Sequence, residues 1–317
     1  MNNEHRLQLD EPALRRVLSA AGLDPATVTG WTELTEGTFN TAYRIRTSEG
    51  GFVLKVAPRP DAPGLTYERD LMRTETTFYR AAHGHAVVPE VVHADFARSL
   101  VPSDFLLMTE IPGDNATTLT AEARAAMRRE LGQVVAGLHE VTGTGFGYPQ
   151  LGLAPTWREG FLGMVDAVLA DAARFGTELP LPGREIAAAV RARADLLDEV
   201  ERPVLVHFDL WDGNVLVQDG KVTGLVDGER AFWGDPLAEM VSLALFGDIE
   251  EDREFLAGYG AAAVTAGARR RLAMYRAYLY LIMLVEGTPR QYSGDWYEEH
   301  KTLVRKHLGA ELESVRG

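Results

Sequence analysis

The sequence predicts an α+β fold with two lobes: a small β-rich N-terminal lobe, residues 1–110, and a larger, mostly helical C-terminal lobe, residues 111–317. Three observations lead to this prediction. Short apolar segments between turn residues dominate the first third of the chain, whereas helical periodicity dominates the remainder. The turn cluster IPGDN at 111–115 separates the two regions. The helical region is interrupted once, by a β-rich stretch at 204–227.

The N-terminal lobe is predicted to begin with a helix at 10–21, because Asp10 is a suitable N-cap and Pro12 lies in the first turn. The sequence SEGG at 48–51 predicts a hairpin turn between two short strands. A second helix is predicted at 66–82. The predicted strands of this lobe are 31–34, 41–46, 52–57, 87–95 and 105–110.

The C-terminal lobe is predicted from longer segments with helical periodicity. Its only predicted strands, within 204–227, form a hairpin about the turn QDG at 218–220. The predicted helices lie at 120–141, 156–175 and 184–200, and further helices fill the chain from 235 to its end.

Composition and charge exclude several classes of function. The chain has no cysteine, which excludes disulfides and thiolate metal sites. Its N-terminus is polar, and its longest apolar run, 278–285, is far shorter than the roughly 20 residues of a membrane span. We therefore expect a cytoplasmic protein without membrane association. The net charge of −14 argues against a nucleic-acid partner and is compatible with a cationic small substrate.

One loop carries the densest set of polar side chains. The sequence VHFDLWDGN, at 206–214, lies between two apolar segments. Asp209 and Asn214 are five positions apart, as in the kinase catalytic loop H-R-D-x-x-x-x-N, with Phe208 where the Arg usually stands. In such a loop the Asp accepts a hydrogen bond from the substrate hydroxyl and takes its proton, while the Asn binds a metal ion. His207 is interpreted as a buried brace of the loop, with a general-acid role as the alternative.

A second carboxylate is expected beside this loop. Asp227 follows the next strand, one short hairpin later, which would bring it next to Asn214. Oxygen ligands from one Asn and one Asp, together with phosphate oxygens and water, are sufficient for Mg²⁺. The sequence therefore predicts a magnesium site formed by Asn214 and Asp227.

A lysine in the N-terminal lobe is the candidate ligand of nucleotide phosphates. Lys55 lies in the apolar strand FVLKVA, where an unpaired charge would be costly. The alternative interpretation is a lysine on an edge strand that points to solvent. Its partner should lie on the helix at 66–82, where Glu68 and Glu75 share a face. We expect Glu75 to be the partner, and Glu68 remains the alternative.

The loop before this strand is expected to cover the phosphates. It contains one glycine, Gly37, which allows a close approach of the backbone, followed by Thr38 and Asn40. The loop does not read G-x-G-x-x-G. A Walker A sequence is also absent from the chain, which disfavours a P-loop nucleotide triphosphatase.

These residues together resemble the aminoglycoside phosphotransferase and choline-kinase-like superfamily, which has a protein-kinase-like fold. The motif His207-x-Asp209-x4-Asn214 resembles the catalytic signature of that family. The sequence WGDPLAE at 233–239 resembles the segment G-D-P-x-x-D-[LM], with Glu239 in place of the usual acid. The sequence FLLMTEIPG at 105–113 resembles the linker between the lobes.

The resemblance implies a role for most of the candidate residues. Asp209 would be the catalytic base, and Lys55 would bind the phosphates of ATP. The Mg²⁺ ligands would be Asn214 and Asp227. The linker backbone at Glu110 and Ile111 would bind adenine.

The substrate-binding residues are less well defined by the sequence. Trp211 and Asp212 lie in the catalytic loop, and Glu229 follows the metal-binding Asp, so all three are candidates to contact the substrate. The segment DWYEE at 295–299 is interpreted as the start of a solvated helix, with a wall of an amine-binding pocket as the alternative.

The implied function is ATP- and Mg²⁺-dependent phosphorylation of a hydroxyl on a small molecule. An aminoglycoside-like antibiotic is the first expectation for this acceptor. The D-L-W-x-G-N form of the loop also resembles fructosamine kinases, so an amino sugar, a fructosamine or a choline-like metabolite is the alternative. An inactive nucleotide-binding pseudokinase would lack one of the four catalytic residues. All four are present: Lys55, Asp209, Asn214 and Asp227. The oligomeric state stays open.

Overall fold

The structure is a computed structural model, and it describes residues 5–35, 39–260 and 264–316. Its N-terminal part is a five-stranded antiparallel sheet with the order β1-β2-β3-β5-β4. The strands are β1 (Val28–Leu34), β2 (Thr41–Thr47), β3 (Gly50–Val56), β4 (Val91–Asp95) and β5 (Phe105–Thr109). Two helices accompany the sheet, α1 (Glu11–Ala20) and α2 (Leu71–Ala82).

The two faces of the sheet pack on different helices, which follows from the alternation of side chains along each strand. On β5, Phe105 and Leu107 pack in one cluster with α1, whereas Leu106 and Met108 pack in another with α2. The run of apolar residues in β5 therefore marks a strand that is buried on both faces. On β3, Lys55 is paired with Leu106, which places it on the face that α2 covers.

Several predicted elements of this part are confirmed with small changes. Asp10 caps α1 by accepting the Ala13 N–H at 2.8 Å, as predicted. The predicted helix at 66–82 is divided into a 3₁₀ turn and α2, because Asp70 between them has a left-handed φ of 56°. The strand expected from 87 begins at 91, after Pro89, which has no N–H to donate to a strand ladder.

The C-terminal part is mostly helical, as predicted. The long helix α8 is buried on nearly all sides and forms the centre of this part. The predicted helix at 184–200 ends at Arg191, and a 3₁₀ turn follows at 194–199. The helices are α3 (Ala121–Leu138), α4 (Trp157–Arg174), α5 (Gly183–Arg191), α6 (Met240–Leu243), α7 (Arg253–Tyr259), α8 (Ala266–Val285) and α9 (Asp295–Arg316).

Two small antiparallel sheets interrupt these helices. The strands β6 (Asp114–Asn115) and β10 (Phe232–Gly234) were not predicted, because they are too short to show a period of two. β7 (Val204–Val206) pairs with β10, whereas β8 (Val215–Gln218) pairs with β6 and with β9 (Lys221–Leu225). The strands on either side of the loop 207–214 thus belong to different sheets, and the loop connects them.

The proposed boundary between the lobes, at 110/111, stays a prediction. β5 ends at Thr109, and β6 already pairs with β8 of the helical part. Within the three described ranges, none of the helices combines the length and apolar character that crossing a membrane requires.

Two helical glycines test how closely these helices pack. A Cβ on Gly132 of α3 would lie 2.3 Å from the carbonyl oxygen of Phe255 in α7, whereas a Cβ on Gly163 of α4 would meet nothing within 4 Å. We expect Gly132→Ala to lower the free energy of unfolding by about 1–3 kcal/mol through overpacking. The matched control Gly163→Ala should raise it by about 0.5–1 kcal/mol, because alanine favours a helix. Urea unfolding measures both, and equal effects of the two substitutions would contradict close α3–α7 packing.

Candidate active site

The catalytic loop begins with a residue in an unusual backbone conformation. Phe208 has a φ of 65°, which is left-handed and rare for a residue with a bulky side chain. Its ring is fully buried, with centroids 5.0 Å from Phe232 and 5.7 Å from Tyr278. Packing of the ring therefore offsets the backbone strain at this position. The turn at Phe208 directs the next side chain, that of Asp209, away from the core.

The side chain of a buried glutamate, Glu239, binds the backbone of this loop. The two carboxylate oxygens of Glu239 accept the N–H groups of His207 at 2.7 Å and of Phe208 at 2.9 Å. The hydroxyl of Ser242 accepts the N–H of Leu210 at 3.0 Å. Glu239 is completely buried, and the two N–H groups replace the hydrogen bonds that its carboxylate would otherwise make with water. The sequence motif pointed to Glu239, but this role could not be read from it.

His207 supports the loop through hydrogen bonds from its buried ring, as the sequence analysis expected. It is fully buried, and its Nε2 lies 2.9 Å from the carbonyl oxygen of Val226. Burial lowers the pKa of His207, so the neutral ring donates from Nε2 and accepts the Asp209 N–H at Nδ1, at 3.3 Å. The imidazole thus ties the catalytic loop to the strand that leads to Asp227.

The carboxylate of Asp209 lies between an amide and a guanidinium. The Nδ2 of Asn214 donates to its Oδ2 at 3.2 Å, and Nη1 of Arg230 lies 3.8 Å from its Oδ1. Burial raises the pKa of Asp209 to about 7, although Arg230 opposes this shift. A carboxylate with this pKa can accept a proton from a hydroxyl near neutral pH, which is what a general base requires.

Lys55 is buried among three carboxylates. Its Nζ lies 2.8 Å from Glu75 Oε1, 2.5 Å from Asp227 Oδ1 and 3.8 Å from Glu229 Oε2. Burial alone would lower the pKa of Lys55, but these carboxylates outweigh it and raise the pKa well above its usual value. Of the two candidate partners on the predicted helix, the structure places Glu75 against Lys55, whereas Glu68 binds Arg290 at 2.6 Å.

A tyrosine that the sequence did not identify joins α2 to the segment of Asp227. The hydroxyl of Tyr79 donates to Glu75 Oε1 at 2.8 Å and accepts the N–H of Asp227 at 3.0 Å. Asp227 itself has a left-handed φ of 61°. The next residue must be small, because a Cβ on Gly228 would lie 2.2 Å from the ring of Phe78. Nothing in the local sequence of this helix indicates the bridging role of the Tyr79 hydroxyl.

The residues expected to bind Mg²⁺ lie side by side. The N–H of Val226 donates to the carbonyl oxygen of Asn214 at 3.0 Å, which fixes Asp227 next to it. Asn214 uses its amide nitrogen on Asp209, so its Oδ1 is available as a ligand. The Asp227 side chain is half-exposed. An amide oxygen and an accessible carboxylate, completed by phosphate oxygens and water, fit Mg²⁺.

The loop expected to cover the phosphates is described only in part. Gly37 and Thr38 lie outside the described residues. Asn40 is buried, and its Nδ2 donates to Glu229 Oε2 at 2.7 Å. Glu229 thus lies between Asn40 and Lys55, on the side of the expected nucleotide. The mouth of the substrate site, where the sequence analysis put Glu229, is lined by other residues of the described chain.

The linker after β5 leaves part of its backbone accessible for adenine. The N–H of Glu110 already donates to the carbonyl oxygen of Gly51 at 2.9 Å. Its carboxylate binds Nε of Arg44 at 2.6 Å. The side chain of Ile111 packs against Gly224 so closely that a Cβ on this glycine would clash with it. Adenine binding by the backbone of Glu110 and Ile111 stays a prediction.

A cavity of about 650 Å³ opens at Asp209. Trp211 lines it as expected, but Asp212 does not, because its carboxylate pairs with Arg124 of α3 at 2.9 Å. Trp296, at the start of α9, also lines the cavity, so this segment is both a helix start and a cavity wall. The apolar part of the lining is Trp211, Leu245, Leu279, Met283, Tyr292 and Trp296, and the polar part is Asp209, Arg230, Ser242, Glu286, Arg290 and His300.

A β-sheet part with a buried lysine, a helical part with an Asp–Asn loop and a cavity at the Asp define a protein-kinase-like phosphotransferase. A sequence profile of the phosphotransferase enzyme family (APH) matches residues 30–275. The chain therefore belongs to this family. The proteins that it resembles include small-molecule kinases.

Two curated relatives are homoserine kinases. That of Gluconobacter oxydans is 30% identical over 218 residues, which cover 64% of this chain and 61% of the relative. The chain thus matches less than two thirds of that relative's length. The homoserine kinase of Gluconacetobacter diazotrophicus is 29% identical over 280 residues, 83% of this chain and 81% of the relative.

Solved structures confirm the fold. A protein from Thermobifida fusca named as a fructosamine-3-kinase has a TM-score of 0.72 at 21% identity, covering 97% of this chain and 99% of that chain. The aminoglycoside phosphotransferase APH(4)-Ia, in a ternary complex with AMP-PNP and hygromycin B, has a TM-score of 0.66 at 20% identity, covering 92% and 95%. At these identities the similarity establishes the fold alone.

The two glutamates near α2 provide a matched test of the lysine pair. We expect Glu75→Gln to raise KM for ATP roughly tenfold, because one charge-assisted hydrogen bond to Lys55 contributes about 1.5 kcal/mol or more. Glu68→Gln removes an equally buried carboxylate that binds Arg290, and it should leave this KM within about twofold. Steady-state kinetics with varied ATP would contradict the assignment if Glu68→Gln had the larger effect.

A second substitution tests the support of the catalytic loop. Glu239→Gln removes one of the two acceptors that hold the N–H groups of His207 and Phe208. We expect the free energy of unfolding to fall by about 1–3 kcal/mol and kcat by roughly tenfold to a hundredfold, because the loop loses its alignment. Glu239→Asp retains both acceptor oxygens and should lose less of each. Equal kcat for Glu239→Gln and the parent chain would show that the brace does not affect catalysis.

Proposed function

We propose that this chain is an ATP- and Mg²⁺-dependent O-phosphotransferase that phosphorylates a hydroxyl of a small molecule bound in the cavity at Asp209. One observation carries the proposal: Asn214 connects the two halves of the site. Its side chain contacts the carboxylate of Asp209, and its backbone carbonyl accepts the N–H of Val226. The next residue, Asp227, binds Lys55. A base, a metal-binding pair and a phosphate-binding cation thus form one continuous cluster.

The reaction follows from this arrangement. The acceptor hydroxyl donates a hydrogen bond to the Asp209 carboxylate, which aligns its oxygen. As that oxygen forms a bond to the γ-phosphorus, the bond to the β–γ bridging oxygen breaks, ADP leaves, and the hydroxyl proton passes to Asp209. Lys55, held by Glu75, would bind the phosphates, and Asn214 and Asp227 would hold Mg²⁺. Bound Mg²⁺ supplies charge neutralisation on the phosphate oxygens.

The relatives and the cavity bear differently on the acceptor. Hygromycin B in APH(4)-Ia supports the aminoglycoside-like antibiotic that the sequence favoured. The names homoserine kinase and fructosamine-3-kinase support a metabolic acceptor. The cavity presents Arg230 and Arg290 alongside Asp209 and Glu286, so its formal charges are balanced. A polycation would need an excess of carboxylates, and this lining therefore gives an aminoglycoside no preference.

The substitution Asp209→Asn tests the proposed reaction. It retains the shape of the side chain but removes the base, so kcat should fall by roughly 10²–10⁴-fold. ATP with Mg²⁺ should still raise the melting temperature of the variant, because Lys55 and the metal ligands remain. A coupled ADP-release assay measures turnover across aminoglycosides, amino sugars, fructosamines, choline and homoserine, with product masses from mass spectrometry. A phosphorylated product that persists in Asp209→Asn would contradict the assigned base.

A further inference from the structure

The exposed wall of the acceptor cavity is mainly apolar. Three of the large hydrophobic side chains exposed in the described structure line this one cavity: Trp211, Leu245 and Trp296, with 47%, 37% and 46% of their surface accessible. Exposed apolar surface concentrated in a concave site marks a place where a ligand covers it. Its position next to Asp209 makes that ligand the acceptor.

The two indole rings are supported from behind. The ring of Trp211 lies over Gly213, so closely that a Cβ there would approach it to 2.3 Å. The ring of Trp296 packs against Tyr292 with centroids 5.4 Å apart. Rings held in this way lose little conformational freedom when a flat, apolar surface stacks on them.

The charged groups at the base of the cavity already have partners within the protein. Arg230 donates to Glu286 at 2.8 Å, and Arg290 donates to Glu68 at 2.6 Å. The accessible fractions of the two arginine side chains are 10% and 7%. Burial lowers the pKa of His300, which favours its neutral form. The two carboxylates of the described lining, Asp209 and Glu286, both lie within 4 Å of Arg230. An acceptor with several ammonium groups would therefore find too few carboxylates to pair with, and each unpaired buried charge would cost binding free energy.

The size of the cavity is also informative. Its volume of about 650 Å³ lies within the usual range for drug-sized ligands, which is roughly 300–1,000 Å³. A small polar amino acid such as homoserine would occupy only part of it. Such a ligand would leave the apolar wall formed by Trp211, Leu245 and Trp296 exposed to water.

We infer that the acceptor is a ring-containing alcohol with an apolar face and at most one positive charge, which stacks on Trp211 and Trp296 with its hydroxyl at Asp209. The inference rests on the proposed function and narrows its acceptor class. It separates this chain from polycationic aminoglycosides and from small amino-acid substrates. Trp211 and Trp296 are then specificity-determining residues.

Direct binding measurements test the inference without requiring turnover. The probes are 4-nitrophenyl β-glucoside and erythromycin as ring alcohols with apolar faces, kanamycin as a polycation, and homoserine as a small amino acid. Isothermal titration with the ADP·Mg²⁺-loaded protein gives Kd for each probe. At least one of the two apolar-faced alcohols should bind more tightly than both kanamycin and homoserine.

Three tryptophan variants give the structural control. Trp211→Ala and Trp296→Ala should each weaken binding of the apolar-faced alcohol roughly tenfold or more, as loss of a stacked aromatic side chain does. Trp31→Ala removes a similarly exposed indole, 40% accessible, from β1 and should change Kd less than about twofold. Circular dichroism melting, with and without ATP·Mg²⁺, verifies that each variant is folded.

The outcomes separate the inference from the proposed function. Tighter binding of kanamycin or homoserine, no binding of either apolar-faced alcohol, or a Kd that does not depend on Trp211 and Trp296 would each overturn the inference. ADP production is measured in parallel samples of the same protein and probes, with ATP·Mg²⁺ in place of ADP·Mg²⁺. Release with kanamycin or homoserine as the preferred acceptor would support phosphotransfer and overturn the inference, whereas tryptophan-dependent binding without ADP release would support the inferred pocket and count against phosphotransfer.

Discussion

The buried ammonium of Lys55 is the constraint on which the arrangement of the site depends. An unpaired lysine charge inside a protein costs several kcal/mol, which is comparable to the whole free energy of unfolding of a small domain. Surrounding carboxylates offset this cost. Here Glu75 comes from α2 and Asp227 from the segment after β9, so satisfying one charge fixes two distant parts of the chain. The hydroxyl of Tyr79 and the close contact of Gly228 with Phe78 hold the same junction.

The catalytic loop depends on a second buried charge, that of Glu239. Because its carboxylate is occupied by backbone N–H groups, the loop can be strained at Phe208 and still present Asp209 in one orientation. Asn214 then connects the two centres, since it contacts Asp209 by its side chain and the Asp227 strand by its backbone. The proposed base, metal ligands and phosphate-binding cation are thereby placed by the same few buried groups.

Much of this arrangement could be predicted from the sequence, because its signals are local. The single charge in the apolar strand at Lys55 indicated a paired lysine, and the helix at 66–82 offered Glu75 as the expected partner, with Glu68 as the alternative. The Asp209–Asn214 spacing indicated the catalytic loop. The direction of a side chain after an irregular residue was not predictable: Glu229 follows the left-handed Asp227, and its carboxylate accepts a hydrogen bond from Asn40. Long-range contacts were equally hidden, such as the ion pair of Asp212 with Arg124, since nothing in the local sequence specifies it. For the segment 295–299 the sequence left a helix start and a pocket wall open, and the structure shows both.

The central claim is that Asn214 and Asp227 hold a metal ion between Lys55 and Asp209. Its most direct test is a crystal structure with AMP-PNP and Mn²⁺, in which anomalous scattering locates the metal. The account predicts one manganese peak in contact with Asn214 Oδ1 and the Asp227 carboxylate, with Lys55 on the phosphates and the γ-phosphate facing Asp209. Manganese bound elsewhere, or nucleotide phosphates out of reach of Lys55, would contradict it.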